Sequence, residues 1–361
     1  MIIIPTILFL IGALNNVCCF ITFNRPKPLL VGSGHYLRTA SIINQLTLLM
    51  LLLKLLHLVL SVKGYVVHQL MNTILCKLLS YLLVCSSRIS YWLMGMVAVE
   101  RVYVTWYLKD IWFKSPRIAK RIIATLIIGV TVCDVHELIF YQSIEDPKSL
   151  DLNNSTWCVT SYPSAISTYH QVNIIWNYIL PFLINILSTI TLIILIIRRR
   201  TSAKKTDCTE SPTDSRSIFR IYLDLLKKYK ELILAPSVIM LPQLFSLPQF
   251  ILSFSFACQE FNVTWQRYLL IIAFFTAYLP QTLSWKLYIS PSSLYTEEFH
   301  ASDFYKKISR WRALLHRIRS WMLCCLGFFS ATIERNIRNP CRFWPHIYYN
   351  DLSITIRIIK H

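Results

Sequence analysis

The sequence predicts an all-α membrane protein, a single bundle of seven transmembrane helices, and three observations predict it. Of the 361 residues 55% are hydrophobic and only 15% are charged, against about 25% charged in an average soluble domain. Seven apolar runs follow one another along the chain, each long enough to cross a hydrocarbon layer of about 30 Å. Basic residues collect in alternate connections between those runs, which is how a multispanning chain marks its cytoplasmic side. With only seven glycines and no internal repeat, collagen-like, low-complexity and solenoid chains are excluded.

The first run, 2–23, is apolar almost from its first residue. It is expected to be a span, because no basic leader or small-residue cleavage site precedes Asn24-Arg25-Pro26-Lys27. The second span, 39–62, carries Lys54 and His57. A lysine at that depth costs a few kcal/mol unless it faces the bundle, so Lys54 is expected to point inward. The third span, 73–105, is the longest, with Cys76 near one end and Glu100-Arg101 near the other. Twenty-five positions separate Cys76 from Arg101, or roughly 37 Å of helix, so the two face opposite water layers.

The fourth span, 121–142, ends near His136-Glu137, and the fifth, 172–197, stops at Arg198-Arg199-Arg200. A polar linker precedes the sixth span, 231–257, which holds Pro236, Pro242 and Pro248; the seventh, 267–290, holds Pro280. Proline removes a helix hydrogen bond and bends the rod, so the late spans suit a bundle that changes shape. The bundle is expected to occupy 1–300 and a basic cytoplasmic tail 301–361. In that tail Trp311, Leu314, Leu315, Ile318, Trp321, Met322 and Cys325 recur at helical spacing beside arginines, the pattern of a helix lying on anionic lipid. Cys324 and Cys325 are candidates for palmitoylation.

The loops after the first, third and fifth spans hold the lysines and arginines. That places the N-terminus outside, the C-terminus in the cytoplasm, and the chain at the plasma membrane. The sequons at Asn153, Asn154 and Asn262 all fall in loops this topology makes extracellular. Of eleven cysteines, Cys76, Cys158 and Cys258 map to the oxidising face. Cys76 with Cys158 is the expected bridge, pinning the second outer loop over the mouth of the bundle, and Cys258 is left over.

Seven spans of this topology, the Cys76 to Arg101 spacing, the Glu100-Arg101-Val102-Tyr103 stretch and a cysteine in the second outer loop together resemble the rhodopsin-like G-protein-coupled receptors. Pro181, Pro248 and Pro280 are similar to that family's frequent prolines, and the resemblance covers about 1–300. Trp157-Cys158, His136-Glu137 and the region from Tyr288 to Phe299 look like a divergent invertebrate orphan branch of it. The resemblance implies that an extracellular ligand drives heterotrimeric G proteins, with Glu100, Arg101, Tyr103, Pro248 and Pro280 serving coupling and activation, and with Glu100 as the resting partner of Arg101.

Departures from the family pattern bear on the ligand and the switch. The aromatic switch reads Phe245-Ser246-Leu247-Pro248, the seventh-span motif reads Leu279-Pro280-Gln281-Thr282-Leu283, and Lys54 lies near where a second-span acid is usual. The position of the family's sixth-helix acid is Lys228, which implies raised ligand-free signalling. Leu83 stands where an amine receptor has its Asp, and Ala273 where a retinal protein has its Lys, so a peptide is the expected ligand. Leu83, Glu137 and Trp157 are the candidate ligand-binding residues, and Glu137, Glu145, Asp146 and Asp151 would favour a basic or amidated peptide.

No enzyme motif appears, and no cofactor or metal site is expected, since His136-Glu137 lacks the second histidine of a zinc-protease helix. The net charge of +19 belongs to cytoplasmic loops and tail facing membrane lipids, so no nucleic-acid partner is indicated. The competing readings are a transporter or channel lined by Lys54, His57 and Glu137, and a receptor-shaped protein that no longer couples.

Overall fold

A computed structural model describes residues 3–62, 69–107, 115–145, 156–160, 162–207, 243–252, 264–307 and 309–310. Two compact units divide the chain, Met1–Ser302 and Asp303–His361. The second is described only over a short helical stretch, where Lys306 and Asp303 pair across one turn.

The first unit opens with α1 (Ile3–Phe23), a short α2 (Pro26–Leu29) and α3 (Gly32–Val62). Pro26 starts α2 from the first-turn position, where its missing N–H costs nothing. Gly34 sits against this turn, so a Cβ there would collide with the Pro28 carbonyl. Because that neighbour is backbone and cannot rotate away, Gly34→Ala should destabilise the unit by about 1–3 kcal/mol. A melting curve of the purified variant checks it; an unchanged midpoint would show that the turn yields.

α4 (Gln69–Trp106) is 38 residues long, about 57 Å of helix, and it is the central rod. Of its apolar stretch 72% is buried, against 22–28% in the other four membrane-length helices, so those four present their remaining faces to lipid. α5 (Pro116–Cys133) begins on Ser115-Pro116 and hands over at Asp134 to α6 (Val135–Phe140). An antiparallel hairpin follows, β1 (Tyr141–Glu145) with β2 (Thr156–Thr160), in a register that sets Ser143 opposite Cys158. α7 (Ser164–Asp207) contains Pro181, and the Asn185 amide donates to the Pro181 carbonyl at 3.0 Å.

The sixth run appears as α8 (Gln243–Leu252). The seventh is not one rod but α9 (Thr264–Ala277), α10 (Leu279–Thr282) and α11 (Ser284–Tyr288). Pro280, in the first turn of α10, has no N–H to bond back to α9, and the backbone breaks again at Leu283. α12 (Ser293–His300) closes the unit. Four other helices start before the expected spans: α3 at Gly32 rather than 39, α4 at Gln69 rather than 73, α5 at Pro116 rather than 121, and α7 at Ser164 rather than 172. Polar residues extend these starts, and hydropathy alone does not count them.

Five helices among the described residues are long and apolar enough to cross a membrane, and two shorter apolar helices accompany them. Together they form a seven-helix membrane bundle. Its apolar centre is Leu48, Leu51, Leu79, Leu83 and Tyr278, and a polar seam crosses it. The Asn16 amide donates to Gln45 Oε1 and to the Gln281 carbonyl, both at 3.2 Å, while the Ser284 hydroxyl donates to Asn16 Oδ1 at 2.6 Å. Ser90 donates to Asn44 Oδ1. In an apolar medium such bonds hold helices together because the alternative is an unpaired polar group.

Candidate functional site

The two ends of α4 carry different chemistry. At one end Cys76 is bonded to Cys158, with their Cα atoms 5.7 Å apart, so β2 is fastened to the bundle. Beneath the bridge lies a cavity of about 240 Å³, lined by Lys54, His57, Asn72, Cys76, Cys158 and Phe274 among others. That volume approaches the lower end of small-molecule sites, about 300 Å³. The Lys54 ammonium lies 5.5 Å from the centre of the Tyr141 ring, a cation–π distance. Lys54 therefore points inward as expected. It lies nine positions beyond Gln45 on the same helix, about 13 Å from the polar seam.

Of the candidate ligand-binding residues, neither Leu83 nor Glu137 lines this cavity. Leu83 is 3% exposed within the apolar centre and does not line the cavity. Glu137 is buried, not an open outer acid, because α6 turns it inward onto a buried charge network. Trp157 belongs to β2, whose side chains other than Cys158 are outside the described residues, as are Asp146, Asp151, Asn153, Asn154, Lys228, Cys258, Asn262, Cys324, Cys325 and the amphipathic stretch of the tail.

The network around Glu137 contains what the sequence reading missed. Arg88, in the middle of α4 and 2% exposed, pairs with Asp134, and its other nitrogen lies 3.8 Å from Glu137 Oε1. Asp134 also accepts from the Asn173 amide at 2.8 Å; Asn173 Oδ1 accepts from Asn177, and Asn177 Oδ1 accepts from Trp92 Nε1. Asp134 and Glu137 sit three apart across the break between α5 and α6, a spacing that sets both on the face toward Arg88. The Tyr162 hydroxyl donates to Glu137 Oε2 at 2.8 Å; burial, and then the charge of Glu137, push that phenol well above its ordinary range. His170, near the start of α7, reaches Glu137 Oε1 at 3.2 Å. The available signal was an arginine amid apolar residues at mid-span, which by default marks a paired, inward-facing charge.

At the other end of α4, Glu100 turns away from Arg101. Both its carboxylate oxygens lie 3.0 Å from where a Cβ on Gly32 would sit, so a side chain there would press on them. They face the Gly32 and Ser33 amides that open α3, in alignment short of a full hydrogen bond, where the helix dipole favours a negative charge. No ion pair joins Glu100 to Arg101 among the described residues, which corrects the expected resting pair. Thr105 donates to the Arg101 carbonyl at 2.7 Å, and the Tyr103 ring packs 5.1 Å from Tyr107. Nearby, Lys27 bonds Glu298 at 2.7 Å and Arg25 approaches it at 3.6 Å, tying the α1–α3 connection to α12. That hydrogen bond holds the Lys27 ammonium above its usual range. Pro248 lies within α8 and Pro280 at the break before α10.

No curated protein matches the chain. The family whose profile matches is described as the 7 transmembrane receptor (rhodopsin family), and the match runs over residues 37–316. Members of it are multi-pass membrane proteins that signal and are not enzymes. A central helix tied by a disulfide to a hairpin at one end and bearing Glu100-Arg101 at the other, within a seven-helix bundle, agrees with that match: the chain belongs to the rhodopsin family of seven-transmembrane receptors.

Proposed function

We propose that the chain is a plasma-membrane receptor, its N-terminus outside, that passes an extracellular peptide signal to heterotrimeric G proteins through the Arg101 end of α4. The observation that carries the reading is the arrangement of α4, with a cavity under a tethered hairpin at one end and, at the other, a partly exposed arginine that has no ion pair among the described residues. A ligand that binds the cavity better in one arrangement of the helices shifts the whole bundle toward it. Pro181 and Pro248 inside their helices and Pro280 at a helix break are the points where the helices around α4 can bend. Arg101 is then placed to meet acceptor groups of a G protein.

Lys54 changes the expected chemistry of the peptide. The cavity presents a cation, and Glu137 is spent on Arg88, so the buried end of the ligand carries acceptor oxygens such as a free C-terminal carboxylate rather than a basic or amidated group. A G-protein activation assay in cells, run with a neuropeptide library in paired free-acid and amidated forms, tests this. Wild type should respond to the free acid, Lys54→Met should lose at least tenfold in potency, and Arg101→Ala should give no response at all. Equal responses in wild type and Arg101→Ala would overturn the reading.

A further inference from the structure

We propose that His136, Glu137 and His170 form a three-ligand site for a zinc-type divalent ion that clamps the first turn of α6 to the start of α7. His136 Nε2 and His170 Nδ1 lie 3.1 Å apart, His170 Nδ1 and Glu137 Oε1 3.2 Å, and His136 Nε2 and Glu137 Oε1 3.8 Å. Zinc holds nitrogen and carboxylate ligands at about 2.0–2.2 Å in tetrahedral geometry, which sets its donors about 3.3–3.5 Å from one another. The three separations straddle that value, so an ion fits with small side-chain movements.

The donors are also aimed. His136 Nδ1 lies 3.0 Å from the Cys133 carbonyl; donating there fixes the tautomer that turns the Nε2 lone pair inward, as in most metal-ligating histidines. Tyr162 occupies Glu137 Oε2 and leaves Oε1 for the site. Its ring stacks on His170 at 4.6 Å, and Tyr169 packs edge-on against His136 at 5.0 Å, so neither imidazole swings freely. Arg88 faces the same oxygen, but at 3.8 Å and committed to Asp134. His170 is the partly exposed member, giving an ion its way in and leaving a fourth position for water. The sequence showed only His136-Glu137, because the second histidine comes from another helix.

A histidine ligates through an unprotonated nitrogen, so binding should weaken in acid. The site stands on its own geometry; its effect on signalling rests on the receptor reading, and the two are tested apart. The full chain, stripped with chelator and reconstituted in nanodiscs, is titrated with Co²⁺, whose visible absorption reports tetrahedral coordination, and Co²⁺ is then displaced by Zn²⁺. One equivalent should bind. His170→Ala should weaken binding at least a hundredfold, His170→Cys should restore it with a new thiolate-to-metal band, and Cys133→Ser, which removes an exposed thiol nearby, should change nothing. Unchanged affinity in His170→Ala, or no spectrum at millimolar metal in the wild type, would overturn the site. A Zn²⁺-dependent shift in agonist potency that His170→Ala abolishes would extend it to regulation, and binding without that shift would confine it to structure.

Discussion

Arg88→Met should be among the most destabilising single changes in the chain, costing about 3–5 kcal/mol and leaving most of the protein retained inside the cell. The reason is what stays behind. Asp134 and Glu137 are both buried, and without the guanidinium Asp134 is a carboxylate at membrane depth without its counter-charge, while Glu137 keeps only the cluster it shares with His136 and His170. Asn173 and Tyr162 can still donate to them, but neutral donors do not cancel charge. The double change Arg88→Met with Asp134→Asn removes one charge of each sign and should recover part of the loss. Surface staining of tagged receptor, with melting in detergent, reads both variants. A single variant that reaches the surface and melts like wild type would show that the network is not what holds α4, α6 and α7 together.

Cys158→Ser should be the second large loss, about 2–4 kcal/mol, since the bridge closes a long loop whose ends are 82 positions apart. Its effect on the ligand should exceed its effect on the fold. Cys158 forms part of the cavity wall, and β2 carries it there; once the tether is cut, the hairpin no longer encloses Lys54 and Tyr141. Agonist potency in cells should fall at least tenfold, and Cys76→Ser should do the same, with the double variant no worse than either. Additive losses in the double variant would mean that the two thiols act separately.

The path of the bundle was legible because a lipid-facing helix must be apolar along its whole length, and that pattern survives in the sequence wherever the helix is long. Long elements such as α3 and α4 therefore announce themselves. The break of the seventh run could be read from Pro280 but not from Leu283, which nothing in the local sequence distinguishes from its neighbours. The bridge was legible because sidedness left few oxidisable cysteines to choose among. The Arg88 network was not, since its members come from α4, α6 and α7 and only folding brings them together; Asp134 reads as one polar residue near a helix end until its partner is known. Glu100 was misplaced for a related reason. Adjacency in sequence suggested Arg101, yet successive helix residues point about 100° apart, and the Glu100 carboxylate lies against Gly32 of a different helix.

The central claim is that the Arg101 end of α4 acts on a G protein. The most direct measurement is guanine-nucleotide exchange on purified heterotrimeric G proteins by the chain in nanodiscs, wild type beside Arg101→Ala, with both shown to melt alike. Wild type should speed exchange, and Arg101→Ala should lower the stimulated rate at least tenfold. Stimulation of equal size by the two proteins would contradict it.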